Sequence, residues 1–544
     1  MIATQRSFRK DPPVRHIDQL KIAIPELINA PEGSEAFRRL VAQKAAGSVR
    51  ITKRSFDFRN KREPSMVLAV DVFSKNEPIQ PLPSLDERWA EMLPKKPSNP
   101  TKAPVVIGSG PAGLFCALWL AKAGLTPIMI ERGSPADQRA KDVKQFWEQG
   151  ILHPNSNVQF GEGGAGTFSD GKLTTLVKEK NGLGSLVTET FIAFGAPEEI
   201  RISSKPHIGT DILRDVVMNI RKEIVRLGGR VYFNTTMTDI IFHEGQIQGI
   251  CCIGPEGPCT IESDKVFLCV GHSARDTFEM LVQRGIKMEQ KPFSVGLRIQ
   301  HPQSLINEAQ YGTWKDALGK RYPADYKLSH HTQSGRGVYT FCMCPGGFVV
   351  NAASEADHVV TNGMSNYDRA SGVANSAVLV SVTPEDYKPY ALDKDDVLAG
   401  MRLQRALEHR AFLQGGSTYA LPCQTVGDFL QKTTDKAPYE TAICGSYTMT
   451  DLTQILPEYV TRALREGLPE LDRKLRGFAD PRATFTGIET RSSSPVRILR
   501  DPLTGCSNIE GLYPVGEGAG YAGGIMSSAI DGIRMAKLAY ADFA

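Results

Sequence analysis

The stretch Val105-Val-Ile-Gly-Ser-Gly-Pro-Ala-Gly113 sets three glycines in the spacing G-x-G-x-x-G, after a short apolar run and before the apolar stretch Leu114–Ala121. A strand, a turn and a helix in that order can bind a pyrophosphate. Gly108 allows the tight turn, Gly110 lets backbone approach the phosphates, and Gly113 lets the helix pack on the strand. The helix N-terminus adds free N–H groups and the positive end of its dipole. Ser109, Pro111 and Ala112 complete the turn and count with the glycines as candidate cofactor contacts. A second apolar run ends at Glu131, 18 residues beyond Gly113, where an acid is placed to take ribose hydroxyls. Arg132 follows it, and Arg139 lies on a helical stretch running to Trp147; both are carried as cofactor candidates.

A second glycine cluster, Phe160–Lys172, has five glycines in eleven residues. Backbone N–H groups left uncovered there can wrap a phosphate or lie flat against a planar ring. Gly163, Gly164, Ala165, Gly166, Ser169, Asp170, Gly171 and Lys172 are its candidate contacts. Lys265–Val270 reads as a buried strand parallel to the first, delivering Gly271 and His272 to the same edge. Met237, on an earlier strand, is a further candidate. The run Gly511–Ile525 again reads as strand, glycine turn and helix start, with Gly516, Glu517, Gly523, Gly524 and Ile525 as contacts.

One dinucleotide turn near the front and one glycine turn at the back imply a cofactor gripped from both ends. FAD, bound non-covalently, fits that better than NAD. Its adenosine would lie on the first turn and its ring near the last. The helix starting at Gly523–Gly524 would point its positive end at the ring and favour the reduced flavin.

The candidates for chemistry are Glu489, Arg491, Arg497 and Cys344. Arg491 and Arg497 can fork onto a substrate carboxylate or phosphate, and Glu489 can carry a proton. A structural ion pair between domains is the competing reading. A disulfide between Cys342 and Cys344 is expected to be strained. Two buried structural thiols are the plain reading, and Cys344 beside the flavin the functional one. His330-His331 lacks partners at ligand spacing, so no metal is expected.

The elements that must position these residues follow from composition and periodicity. The chain has 544 residues, 64 basic against 60 acidic side chains, and ten scattered cysteines. Balanced charge gives no whole-protein argument for nucleic acid or anionic membrane, and no apolar run is long enough to span a bilayer. The polar start, Met1–Asp11, shows no apolar signal core, and reduced thiols fit a cytosolic location.

The expected class is α/β: a Rossmann-like cofactor domain, discontinuous in sequence, with an inserted α+β cap and a small N-terminal α+β domain. The boundaries read as 1–77 for the N-terminal unit and 78–101 for a linker punctuated by Pro78, Pro81, Pro83, Pro94, Pro97 and Pro100. The FAD-binding domain reads as 102–285 plus 485–544, and the cap as 286–484. In the N-terminal unit the basic residues Lys53, Arg54, Arg59, Lys61 and Arg62 are a solvated hairpin edge rather than an RNA grip.

Several runs together resemble the bacterial uncharacterised FAD-dependent dehydrogenase family, within the glutathione-reductase-like flavoproteins. They are Gly108–Gly113, Asn157–Leu173, Phe341–Gly347, Thr361–Ser365, Glu489–Arg497 and Gly516–Ile525. The resemblance implies bound FAD and a two-part flavoprotein fold, and names no substrate. No second strand–G-x-G-x-x-G–helix and no C-x2-C or C-x4-C pair occurs in 275–485, so NAD(P)H is expected only as a transient reductant. The expected function is an FAD-dependent oxidoreductase passing a hydride or electron pair between FAD and a small organic substrate. The alternatives are a non-catalytic flavin sensor or scaffold, with a protein partner on the N-terminal unit, and a flavoenzyme acting on RNA.

Overall fold

The computed structural model describes residues 15–73, 79, 81–94, 102–175, 179, 181–432 and 436–541. The polar segment Met1–Asp11 and the linker prolines Pro78, Pro97 and Pro100 lie outside them.

A five-stranded parallel sheet carries the first glycine turn. Its order is Leu512–Pro514, Val266–Leu268, Val105–Ile107, Ile128–Ile130, Arg230–Tyr232. Every residue in the first four strands is buried, as expected where helices and a second sheet cover both faces. One face packs against the helices Pro111–Lys122, Leu183–Ala193, Thr210–Arg226 and Ile525–Tyr540. Ten of the twelve residues of Pro111–Lys122 are buried, because it is sandwiched rather than amphipathic. The other face packs against the hairpin sheet of Thr236–His243, Gln246–Gly254 and Gly257–Glu262.

The second large element is a seven-stranded, mostly antiparallel sheet built on Phe293–Pro302, Gly337–Cys344, Val373–Val382 and Thr484–Glu489. Thr484–Glu489 therefore belongs to this sheet, although its sequence position suggested the returning segment. It pairs with Phe293–Pro302, and the chain goes back toward the parallel sheet only after Val496–Ile498, which pairs with Met288–Gln290.

The N-terminal three-stranded sheet (Arg15–Ala23, Ser48–Asp57, Ser65–Phe73) and the helix Glu35–Ala45 share one continuous apolar core with the seven-stranded sheet. Phe56 packs on Tyr322 and Phe58 on Tyr311, with ring centroids 4.8 and 4.6 Å apart. Much of the basic patch is engaged within the chain. Arg54 donates to both oxygens of Glu32, Arg59 pairs with Asp57, and Lys61 donates to the Ala309 carbonyl. The short helix Leu85–Met92 is capped by Ser84 and buries Trp89. Among the described residues no helix is long and apolar enough to cross a membrane.

Candidate functional site

A large cavity, about 1880 Å³, lies between the parallel sheet, the seven-stranded sheet and the N-terminal sheet. Ordinary small-molecule pockets measure roughly 300–1,000 Å³, so this one has room for a dinucleotide and a substrate together.

The first turn is built as its glycines require. A side chain on Gly113 would meet the Gly108 carbonyl at 1.8 Å, so helix and strand touch there. A side chain on Gly110 would meet only Gly164, at 3.8 Å, so its backbone faces the cavity bare. Gly271, Gly523 and Gly524 likewise have nothing within 4 Å of a built Cβ, and all four glycines line the cavity. The far turn is held by Asp531, which accepts from the Gly516 N–H at 2.8 Å and forms a two-point pair with Arg500. Uncovered backbone at both ends of one cavity of this size is what FAD needs, and the residues fit it.

Pro111, Ala112, Gly164, Ala165, Gly166, Ser169, Asp170, Lys172, Met237, His272, Glu517, Ile525, Gly108, Glu131 and Arg132 line the same space. Glu131 is not a free acceptor, however. Its carboxylate takes hydrogen bonds from Ser109 N and Oγ at 2.8 Å and from the Gly133 and Gly161 N–H groups at 3.0 Å. It ties three loops together and presents its flank to the cavity.

Six cofactor candidates fall outside the lining: Ser109, Gly113, Arg139, Gly163, Gly171 and Gly516. Arg139 needs the plainest correction. It is fully buried behind the second glycine cluster and donates to the carbonyls of Asn157, Val158, Gly161, Glu162 and Gly164. Its guanidinium is a plug that shapes the loop. A five-donor fork suits that task, and the side chain does not line the cavity.

The chemical candidates divide. Glu489 lines the cavity but is locked to Arg298, with Nε–Oε2 2.7 Å and Nη2–Oε1 2.8 Å. Burial pushes this carboxyl up while Arg298 draws it down. Arg491 also lines the cavity, yet its donors are taken by both oxygens of Glu408 and by Ser273 and Ser354. Glu408 is fully buried and also holds Arg275, at 2.7 and 2.9 Å. Arg491 is thus a positioning residue and not a free substrate fork. Arg497 leaves the site altogether: it pairs with Glu289 at the surface, because its strand lies on an outer two-stranded ribbon. Cys344 is fully buried and does not line the cavity; Cys342 does.

The electrostatics set apart Glu517, His272 and Asp170 among the sequence candidates and add His207. Burial pushes Glu517 up to about 7, against the pull of Lys291 and a hydrogen bond from Gly524. Burial, with Arg491 and Arg275 nearby, lowers His272 to about 4, so this cavity imidazole is neutral at neutral pH. His207 is lowered to about 4 in the same way, by burial and then by Arg369. Asp170 feels burial pushing it up, but Lys172 and Arg369, each 2.8 Å away, hold it at about 2. Glu408 had no local signal, since its partners Arg275 and Arg491 lie far along the chain.

Fold and cavity together define a flavoprotein-type nucleotide site. Residues 292–492 match the family described as "FAD-dependent protein, C-terminal domain-like". A protein of Clostridium beijerinckii, described as an uncharacterized protein, is 42% identical over 534 residues, covering 96% of this chain and 97% of that one. The chain belongs to the family of that protein. The match over 292–492 gives FAD as its cofactor. Among solved structures, the flavin-dependent brominase Bmp2 is similar at 14% identity and a TM-score of 0.36, covering 81% of this chain and 79% of that one. The glycerol-3-phosphate dehydrogenase from Bacillus halodurans complexed with FAD is similar at 13% identity and a TM-score of 0.35, covering 84% and 66%. Both likenesses are remote, and neither bears on the reaction.

Proposed function

We propose that the protein is an FAD-dependent oxidoreductase of the glutathione-reductase-like type. It passes a hydride or electron pair between FAD and a small organic molecule held at the seven-stranded sheet. The observation that carries this is the bare backbone of Gly110 at one end of the cavity and of Gly523–Gly524 at the other. On this reading the pyrophosphate rests on Gly108–Gly113, the middle of the cofactor on Gly164–Gly166, and the ring faces the start of the helix Ile525–Tyr540. The flavin supplies the redox chemistry, and the protein supplies orientation and charge. Proton carriage falls to Glu517 rather than Glu489, since Glu517 titrates near neutrality while Glu489 is committed to Arg298. On this layout residues of about 286–484 form the substrate side.

The test is anaerobic. Purified protein showing the visible flavin bands is mixed with NADH or NADPH. Bleaching within seconds would make it a reductase with a transient nicotinamide site. Bleaching by neither, with small acids or amines reducing the flavin instead, would make it a substrate-driven dehydrogenase. A flavin that no organic donor reduces would overturn the oxidoreductase reading.

A further inference from the structure

We propose that Cys342 and Cys344 form a redox-active dithiol that exchanges an electron pair with the bound flavin. The proposal rests on the FAD reading above.

Three observations bring the two sulfurs into play. First, Cys342 lines the cavity, near Lys172, Glu489 and Glu517, whereas Cys344 is buried directly behind it. Second, the strand is broken at this point. Gly337–Cys344 pairs regularly with Val373–Val382 as far as Phe341, shifts register, and resumes at Cys344. Cys342 sits at φ 44, a left-handed conformation that favours glycine. On a regular strand two residues apart span about 6.6–6.8 Å, the outer limit for a disulfide. The left-handed turn takes the segment out of full extension and shortens that span. Third, the two residues already interact: the Cys344 Sγ donates to the Cys342 carbonyl at 3.3 Å.

The charges around the pair suit thiolate chemistry. Cys344, then Lys172 and Arg298, draw the Cys342 thiol down, while Cys342 and burial push Cys344 up. Lys172 is fixed there by Asp170 and by the Met343 carbonyl, between the two cysteines. The reactive thiolate therefore faces the cavity and the resolving thiol stands behind it.

The step balances without another reagent. The Cys342 thiolate and the Cys344 thiol together lose two electrons and one proton and gain one S–S bond, and oxidised FAD takes up the electron pair and that proton as the anionic reduced form. The reverse step reduces the disulfide. Passage of the pair to or from an external thiol or disulfide would then occur at Cys342, the member that lines the cavity.

The whole holoprotein provides the test, because trypsin releases residues 337–369 as one peptide whose only cysteines are Cys342 and Cys344. The oxidised protein is quenched in acid, alkylated with iodoacetamide, digested and weighed, then compared with protein reduced anaerobically by dithionite. The expected oxidised peptide is unalkylated and lighter by two hydrogens, and the reduced one carries two alkyl groups. Dithionite titration should consume four electrons per flavin in the native chain and two in Cys342→Ser and in Cys344→Ser. A peptide carrying two alkyl groups before and after reduction, with two electrons consumed by the native protein, would overturn the proposal. The native peptide decides the matter even if a variant misfolds. Failure of the cofactor reading would show separately, as protein lacking visible flavin bands.

Discussion

Arg298 and Glu489 face each other across two neighbouring strands of the seven-stranded sheet and share a two-point ion pair inside the protein, at 2.7 and 2.8 Å. The Arg298 side chain is fully buried and that of Glu489 nearly so. Removing one partner of such a pair leaves an uncompensated charge in a dry place. Glu489→Ala should cost about 3–5 kcal/mol, read as a shift in the denaturant midpoint. Arg497→Ala should cost less than about 1 kcal/mol and leave flavin content unchanged, because its pair with Glu289 is exposed. Equal losses for the two variants would contradict this placement.

The two glycines of the first turn should fail differently. Gly113→Ala puts a methyl group 1.8 Å from the Gly108 carbonyl, so folding itself should suffer and the melting temperature fall. Gly110→Ala meets protein only at 3.8 Å, so the melting temperature of the flavin-free protein should hold while flavin per protein drops. Gly110→Asp should lose the flavin completely, since a carboxylate would meet the pyrophosphate. The ratio of flavin to protein absorbance measures both.

Arg139 should be irreplaceable by lysine. Its Nε and both terminal nitrogens serve five carbonyls, which an ammonium cannot reach together. Arg139→Lys should lose about 3 kcal/mol or more, since each stranded buried carbonyl costs about 1–3 kcal/mol. It should lose flavin as a consequence of that instability. Thermal melts of the purified variant check this.

Glu517 gives a pH prediction for the flavin-free protein. Its native carboxyl titrates at about 7, raised by burial from an ordinary 4.5. Between those values the native state holds more protons than the unfolded one, so this group makes stability fall as pH rises from 4.5 to 7. Its contribution is full below 4.5 and gone above 7. Glu517→Gln should flatten that part of the pH–stability curve and raise the melting temperature at pH 8 relative to the native chain. A curve of unchanged slope would show that Glu517 is not the group responsible.

What the sequence made legible was local. The turn at Gly108–Gly113 could be read because strand, glycines and helix lie within twenty residues and each has one structural reason to be there. The helix Glu35–Ala45 is local in the same sense: Ser34 caps it through the Phe37 N–H, and Phe37 and Val41 are spaced to share its buried face. What stayed hidden depends on distant partners. Arg491 looked like a ligand for substrate, but it answers Glu408, 83 residues earlier, which also answers Arg275, 133 residues from it. Cys342 gave no sign of leaving the strand, because cysteine has no turn preference and the register shift is imposed by its neighbours. Glu131 and Arg139 were read as cofactor contacts, but spacing could not say that their polar atoms are spent on backbone and on the Ser109 hydroxyl.

The strand Leu512–Pro514 closes the parallel sheet beside Val266–Leu268, and this has a consequence for biosynthesis. It leaves the ribosome about 400 residues after the first glycine turn. At about 5–20 residues per second, the unfinished sheet waits roughly 20–80 s with an open edge at Val266–Leu268. Throughout that interval the nascent protein lacks the rear wall of its flavin cavity. Maturation with the vitamin-derived group is therefore a post-translational event, and a chain stopped short of residue 512 would be a client for chaperones and proteases rather than a smaller flavoprotein.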